Sequence, residues 1–175
     1  MIGLVQRFTA AMNKLSTLMG YLAGGGFLLL SCYIGWEAVA RKFGLPYSGF
    51  SDEISSYTLA VAGCWGMSYA MKEGNHVRIE VVTSLLPKRY QQTLLTLAIF
   101  IMVLFGGFLA YHMWLLALES NGISARGISS LRAPLVIPQG FAAFGLTVLV
   151  LQGLAMFLCR IFGIEFSRDS DTDLV

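Results

Sequence analysis

Few side chains in this sequence have the chemistry to act on a ligand. The candidates are two histidines, His76 and His112, three cysteines, Cys32, Cys64 and Cys159, and a short charged group, Glu37, Arg41, Asp52 and Glu53. Two histidines suit axial ligation of a haem if they stand at matched depth on facing helices. His76 lies in a charged segment, whereas His112 lies late in a charge-free run that starts at Tyr90. The pair is therefore expected near opposite faces of a membrane, which argues against haem, and His112 reads as a hydrogen-bonded residue near the end of its span. The cysteines all sit inside apolar runs, act as small hydrophobes and show no metal-ligand spacing. There is no HExxH, no glycine-rich phosphate loop and no serine nucleophile with a plausible base. The expectation is a protein without a catalytic, metal or cofactor site.

The charged group suggests another role. Glu37 and Arg41 are four residues apart, so on a helix they share a face and can pair. A carboxylate so close to hydrocarbon is costly unless it is paired or faces protein or water. Such a pair would fix the depth of its helix or touch a partner chain. Gly44 to Phe50 reads as a turn, and Ser51-Asp52-Glu53 opens the next helix, where acidic residues favour the dipole and cap free N–H groups. Together with Lys42, these residues are expected to form a polar cluster at one membrane face.

The elements that position them are apolar. Hydrophobic residues make up 56% of the 175 and charged residues 13%, where a soluble domain has about 25% charged. The charge-free runs are Leu15–Trp36, Ile54–Met71, Tyr90–Leu118 and Ala133–Cys159, of 22, 18, 29 and 27 residues. A membrane-spanning helix needs about 20 apolar residues. Spans are expected at about 15–42, 52–71, 88–118 and 136–162, all in one domain, 1–164. Leu29 to Cys32 loosely resembles a lipoprotein processing box, but the run continues to Trp36, too long for a signal peptide. Gly20 and Gly24, four apart and followed by Gly25 and Gly26, allow close helix packing or a locally flexible helix. The second span is rich in small residues, which suggests packing on several sides.

Between the two pairs of spans lies Met71–Pro87. From Val77 to Leu86, Val77, Ile79, Val81, Val82, Leu85 and Leu86 fill one half of a helical wheel, and His76, Glu80, Thr83 and Ser84 the other, with Arg78 intruding on the apolar side. This predicts an amphipathic helix lying flat on the lipid surface. A strand reading fits residues 77–81, but Val82 breaks its alternation. The N-terminal segment, this stretch and the tail hold eight of the twelve Lys and Arg residues, and the other two loops hold four. The positive-inside rule puts both termini and the central stretch in the cytoplasm. The tail, 165–175, has four acidic residues and should be disordered. The predicted fold is an all-α integral membrane protein, with four transmembrane helices in two hairpins joined by a cytoplasmic-side interfacial helix. No charged residue falls near the centre of a span, so the chain lacks a transport path of its own and reads as a scaffold or accessory subunit. A net charge of +2 with scattered basic residues gives no sign of nucleic-acid binding.

Several residues then form an ordered pattern. Arg41 ends the first span, Phe50-Ser51-Asp52-Glu53 starts the second, and Gly63 lies within it. Gly74-Asn75-His76-Val77-Arg78-Ile79-Glu80 follows, then Leu86-Pro87, and the Ser129–Pro138 segment and Gly145 come later. This pattern, over about Trp36 to Gly145, resembles the DctQ-type small membrane subunit of tripartite ATP-independent periplasmic (TRAP) transporters. Phe50 replaces a common Trp and Glu80 a common Asp. The resemblance implies an inner-membrane protein that supports a large, DctM-type subunit in sodium-coupled uptake of an organic acid, such as a C4-dicarboxylate or sialic acid, delivered by a periplasmic binding protein. It implies partners in that large subunit, the binding protein and membrane lipids. Lys42, Tyr47, Ser48, Arg126 and Arg132 in the two outward loops are the expected docking positions. The alternative is an accessory or anchor subunit of another membrane complex, such as a respiratory haem or quinone subunit.

Overall fold

The computed structural model describes residues 2–73, 87–127 and 132–161. They form four helices: α1 (Ile2–Phe43), α2 (Ser51–Lys72), α3 (Lys88–Gly122) and α4 (Val136–Ile161). Among the described residues there is no strand, only an isolated bridge between Arg126 and Pro134. The expected amphipathic helix, with His76, Arg78 and Glu80, and the expected acidic tail lie outside the described residues.

Local chemistry accounts for the helix ends. Gly44 takes φ +67° after Phe43, and the Leu45 N–H donates to the Ala40 carbonyl at 2.9 Å. A left-handed residue just past the helix closes the last turn in this way, and glycine adopts it without strain. Pro87 precedes α3, and its carbonyl accepts from the Tyr90 N–H at 2.9 Å and the Gln91 N–H at 3.2 Å. Pro138 lies in the first turn of α4, where its missing N–H is not needed. The N-terminal lead-in is helical and continuous with the first apolar run, giving α1 42 residues.

Three helices are long and apolar enough to cross a membrane: α1 over Val5–Phe43, α3 over Tyr90–Gly122, and α4. α2 is not among them. Ser55, Ser56, Tyr57, Thr58, Ser68 and Tyr69 dilute its apolar content.

α4 is the centre of the bundle. It packs against α1, α2 and α3, and Ala142, Ala143, Gly145, Val148, Gln152 and Ala155 are among its many buried residues. The centre is therefore α4 rather than the small-residue helix α2, which packs on α1 and α4. α3 packs chiefly on α4 through Ile99, Gly106, Ala110 and Ala117. In lipid there is no hydrophobic driving force between helices, so close backbone approach takes its place. Gly145 provides it: a Cβ there would stand 2.6 Å from Trp65 Cδ1 and 3.1 Å from the Cys64 backbone carbon. The Trp65 indole also donates to the Phe141 carbonyl at 2.9 Å. Gly20 in turn makes room for Tyr69 of α2, whereas Gly24 and Gly25 face open space. Close packing thus holds for the first glycine of that run and not for the next two.

Gly145→Leu should force α4 off α2 and lower stability by about 1–3 kcal/mol, the usual cost of overpacking. Gly24→Leu, with nothing nearby, should stay within about 0.5 kcal/mol of the parent. Thermal unfolding in detergent, followed by loss of the monodisperse size-exclusion peak, would separate the two.

Candidate functional site

The buried polar side chains fall into two layers, one at each end of the bundle. At the end that carries the 44–50 loop, here called the outer end for the side the sequence assigns it, Glu37 is only 3% exposed although it is carried on α1. Its Oε1 accepts from the Tyr33 hydroxyl at 3.1 Å, from the Ser48 N–H at 2.9 Å and from the Ser48 hydroxyl. Tyr33 and Ser48 also bond to each other. A carboxylate that accepts several donors is well stabilised at the edge of hydrocarbon. Glu37 therefore pins the 44–50 loop to α1.

The expected Glu37–Arg41 ion pair is not present. Arg41 is exposed, with its guanidinium carbon 5.5 Å from the centre of the Tyr47 ring. That is within reach of a cation–π contact. The loop donors of Ser48 hold the carboxylate instead. Lys42 is exposed beside it.

Glu53 lies against the connection between α3 and α4. It is 8% exposed and accepts from the Tyr57 hydroxyl at 2.5 Å. Gly127, from the connection between α3 and α4, lies so close that a Cβ there would clash with the Glu53 carboxylate and lie 2.8 Å from the Tyr57 oxygen. That connection turns back on itself: the Gly127 N–H donates to the Ala133 carbonyl at 2.9 Å and the Leu135 N–H to the Ala125 carbonyl at 3.1 Å. Arg126 and Arg132 are exposed on it, and Arg132 has φ +45°. Asp52 is exposed as well, and no side chain caps the start of α2. Capping at this end is left to the backbone, with the Glu53 and Ile54 N–H groups donating to the Phe50 carbonyl at 3.1 Å. The four-residue cluster is thus two separate stations, one per loop, flanked by exposed Arg41 and Asp52.

The inner layer was not singled out in the sequence. Gln152, wholly buried on α4, accepts from the Ser16 hydroxyl at 3.1 Å and donates to Asn13 Oδ1 at 2.9 Å. The Lys72 ammonium, 1% exposed, donates to Thr17 Oγ1 at 2.7 Å and lies 3.7 Å from Glu73. Thr9 and Cys159 bond at 3.3 Å. These contacts tie α1 to α2 and α4. A signal for Gln152 was available: an amide inside an apolar run must find a partner on another helix.

From Ser16 to Glu37 is 21 helical steps, or about 32 Å along α1. The hydrocarbon core of a bilayer is about 30 Å thick. Between the layers α1, α2 and α4 carry no charge, and on α3 the nearest charge is Glu119, towards the Glu37 end. An apolar groove of about 310 Å³ opens there between α1, α2 and α4, with Leu22, Gly26, Thr58, Val61, Trp65 and Phe141 on its walls. The arrangement is suited to holding helices and loops in place rather than to reacting with a substrate.

Gln152→Leu removes the acceptor of Ser16 and the donor to Asn13, and should cost about 1–3 kcal/mol in thermal unfolding. Glu37→Ala should free the 44–50 loop, so that proteinase cuts it several-fold faster than the parent while the helical circular dichroism is retained. Arg41→Ala should leave the cleavage rate unchanged.

No curated protein matches the chain. A family profile described as tripartite ATP-independent periplasmic transporters, DctQ component, matches residues 30–163. That span takes in both outer loops, α2, α3, all of α4 and the outer part of α1. The chain, a helical membrane protein with its buried polar groups at the two ends of the bundle, belongs to the DctQ component family of TRAP transporters.

Proposed function

We propose that this chain is the static small subunit of a transporter that takes up an organic acid with sodium. All four helices would cross the inner membrane as two hairpins, with both termini in the cytoplasm. Residues 77–86, including Arg78 and Glu80, would lie on the inner leaflet next to His76. A large, DctM-type subunit would carry the substrate and the ions, and a periplasmic binding protein would deliver the substrate, a carboxylate such as a C4-dicarboxylate or sialic acid.

The observation that carries this reading is the slab between the polar layers. It is about as thick as the hydrocarbon core, and among the described residues no Asp, Glu, Lys or Arg lies near its middle. A path for an anion or for sodium needs polar or ionisable groups lining it at that depth, and the histidine there, His112, is exposed on the outside of the bundle. The helices are instead tied to one another by the buried hydrogen bonds of Gln152 and Lys72, which suits a part that stays fixed while another moves. The docking surface follows from the stations. Glu37 and Glu53 are buried, so the outer end presents Arg41, Lys42, Arg126 and Arg132 together with Tyr47 and Ser48. An acidic face on the binding protein would complement it.

Co-expression with a large subunit and purification from the membrane should yield a stable complex. Reconstituted in vesicles, that complex should accumulate an organic acid only with an inward sodium gradient and the binding protein. Uptake by the large subunit equally well without this chain would overturn the proposal. Charge reversal at Lys42, Arg126 and Arg132 together should slow binding-protein-dependent uptake several-fold, through slower association, without removing the subunit from the membrane. Unchanged uptake would exclude those residues from docking.

A further inference from the structure

The register of α3 against α4 bears on the depth of His112. Gly106 of α3 packs against Val150 of α4, where a Cβ would stand 3.2 Å from Val150 Cγ2. Gly153 likewise meets Val103. These two contacts set the register of the antiparallel pair. His112 is six residues beyond Gly106, level with Phe144, and so about 12 Å from the Gln152 layer. In a slab about 32 Å thick, that is close to the middle.

At this depth the imidazole is exposed. Ile99, Gly106, Ala110 and Ala117 turn toward α4, and His112, two residues after Ala110, points away from it. Its neighbours are rings on its own helix: Phe108 at 4.3 Å and Tyr111 at 5.5 Å between centroids. A neutral imidazole has one donor and one acceptor. Acyl chains offer neither, and a polar group left without hydrogen bonds in hydrocarbon is costly. The side chain is too short to reach either surface, as a lysine or arginine would. Lipid is therefore a poor cover for this face, although Leu104, Phe108 and Leu115 beside it are apolar and exposed.

We propose that the α3 face formed by Leu104, Phe108, Tyr111, His112 and Leu115 is where the large membrane subunit docks, with a hydrogen-bonding side chain of that subunit meeting the His112 imidazole inside the hydrocarbon. The proposal rests on the reading of this chain as a transporter's small subunit. It assigns the docking helix and its polar contact. α3 is suited to the role because, within the chain, it packs chiefly on α4 and leaves its other side bare. The apolar residues would give the close packing, and the single polar contact would fix the register of the partner helix, since any slip would strand the imidazole and its partner.

The test uses full-length chain co-expressed with its large subunit in membranes. Benzoylphenylalanine at position 112 should cross-link to the large subunit on illumination, whereas the same probe at Leu28, on the exposed face of α1, should not. His112→Leu should weaken recovery of the complex about three- to thirty-fold, the range for an intramembrane hydrogen bond. His112→Gln, which keeps a donor and an acceptor, should restore most of it. Cross-links from position 112 only to lipid, or only to a second copy of this chain, would overturn the proposal, as would equal losses in the two variants. If the parent chain does not purify with the large subunit, the small-subunit reading fails too. If it does while position 112 labels lipid, only the docking face is wrong.

Discussion

The separation between the two polar layers governs the rest of the structure. Within it helices gain nothing by hiding apolar surface, because the surroundings are equally apolar. Association inside the slab therefore rests on shape, on Gly145 against Trp65 and Gly153 against Val103 and Met71. At the edges hydrogen bonds take over, and each is stronger than in water because few competing solvent molecules reach it. Glycine contacts set how near the helices come, and the bonds of Gln152 and Lys72 set their axial register.

This division explains why α4 is central. It combines small residues that permit approach with one amide that both donates and accepts. The 44–50 loop is held by Glu37, and the connection between α3 and α4 closes through its own backbone bonds beside Glu53. The loops can thus vary in sequence beyond their anchor points without disturbing each other or the bundle.

Much of the helical layout was legible in the sequence, because charge-free runs and the turn residues Gly44 and Pro87 mark the helices directly. The site was legible only in part. Glu37 was identified as a residue needing a partner, but the spacing rule pointed to Arg41. The donors that hold it come from Ser48, eleven residues away, and depend on how the loop folds back. Glu53 meets Gly127, far along the chain, and no local pattern announces that contact. α3 has 35 residues, more than a bilayer needs, so its length alone leaves the depth of His112 open.

The length of α1 has its own consequence. Its 42 residues make a rod of about 63 Å. Even at a tilt of about 40°, the upper end of the usual range, crossing the hydrocarbon uses about 39 Å. Some 24 Å, by the same rise per residue, must stand outside it, and most lies on the N-terminal side of Ser16, because Glu37 is close to the other end. The Thr9–Cys159 bond shows that the end of α4 accompanies it. The same two helices are thus joined at two depths, by Gln152 with Ser16 and Asn13 and, further along, by Cys159 with Thr9.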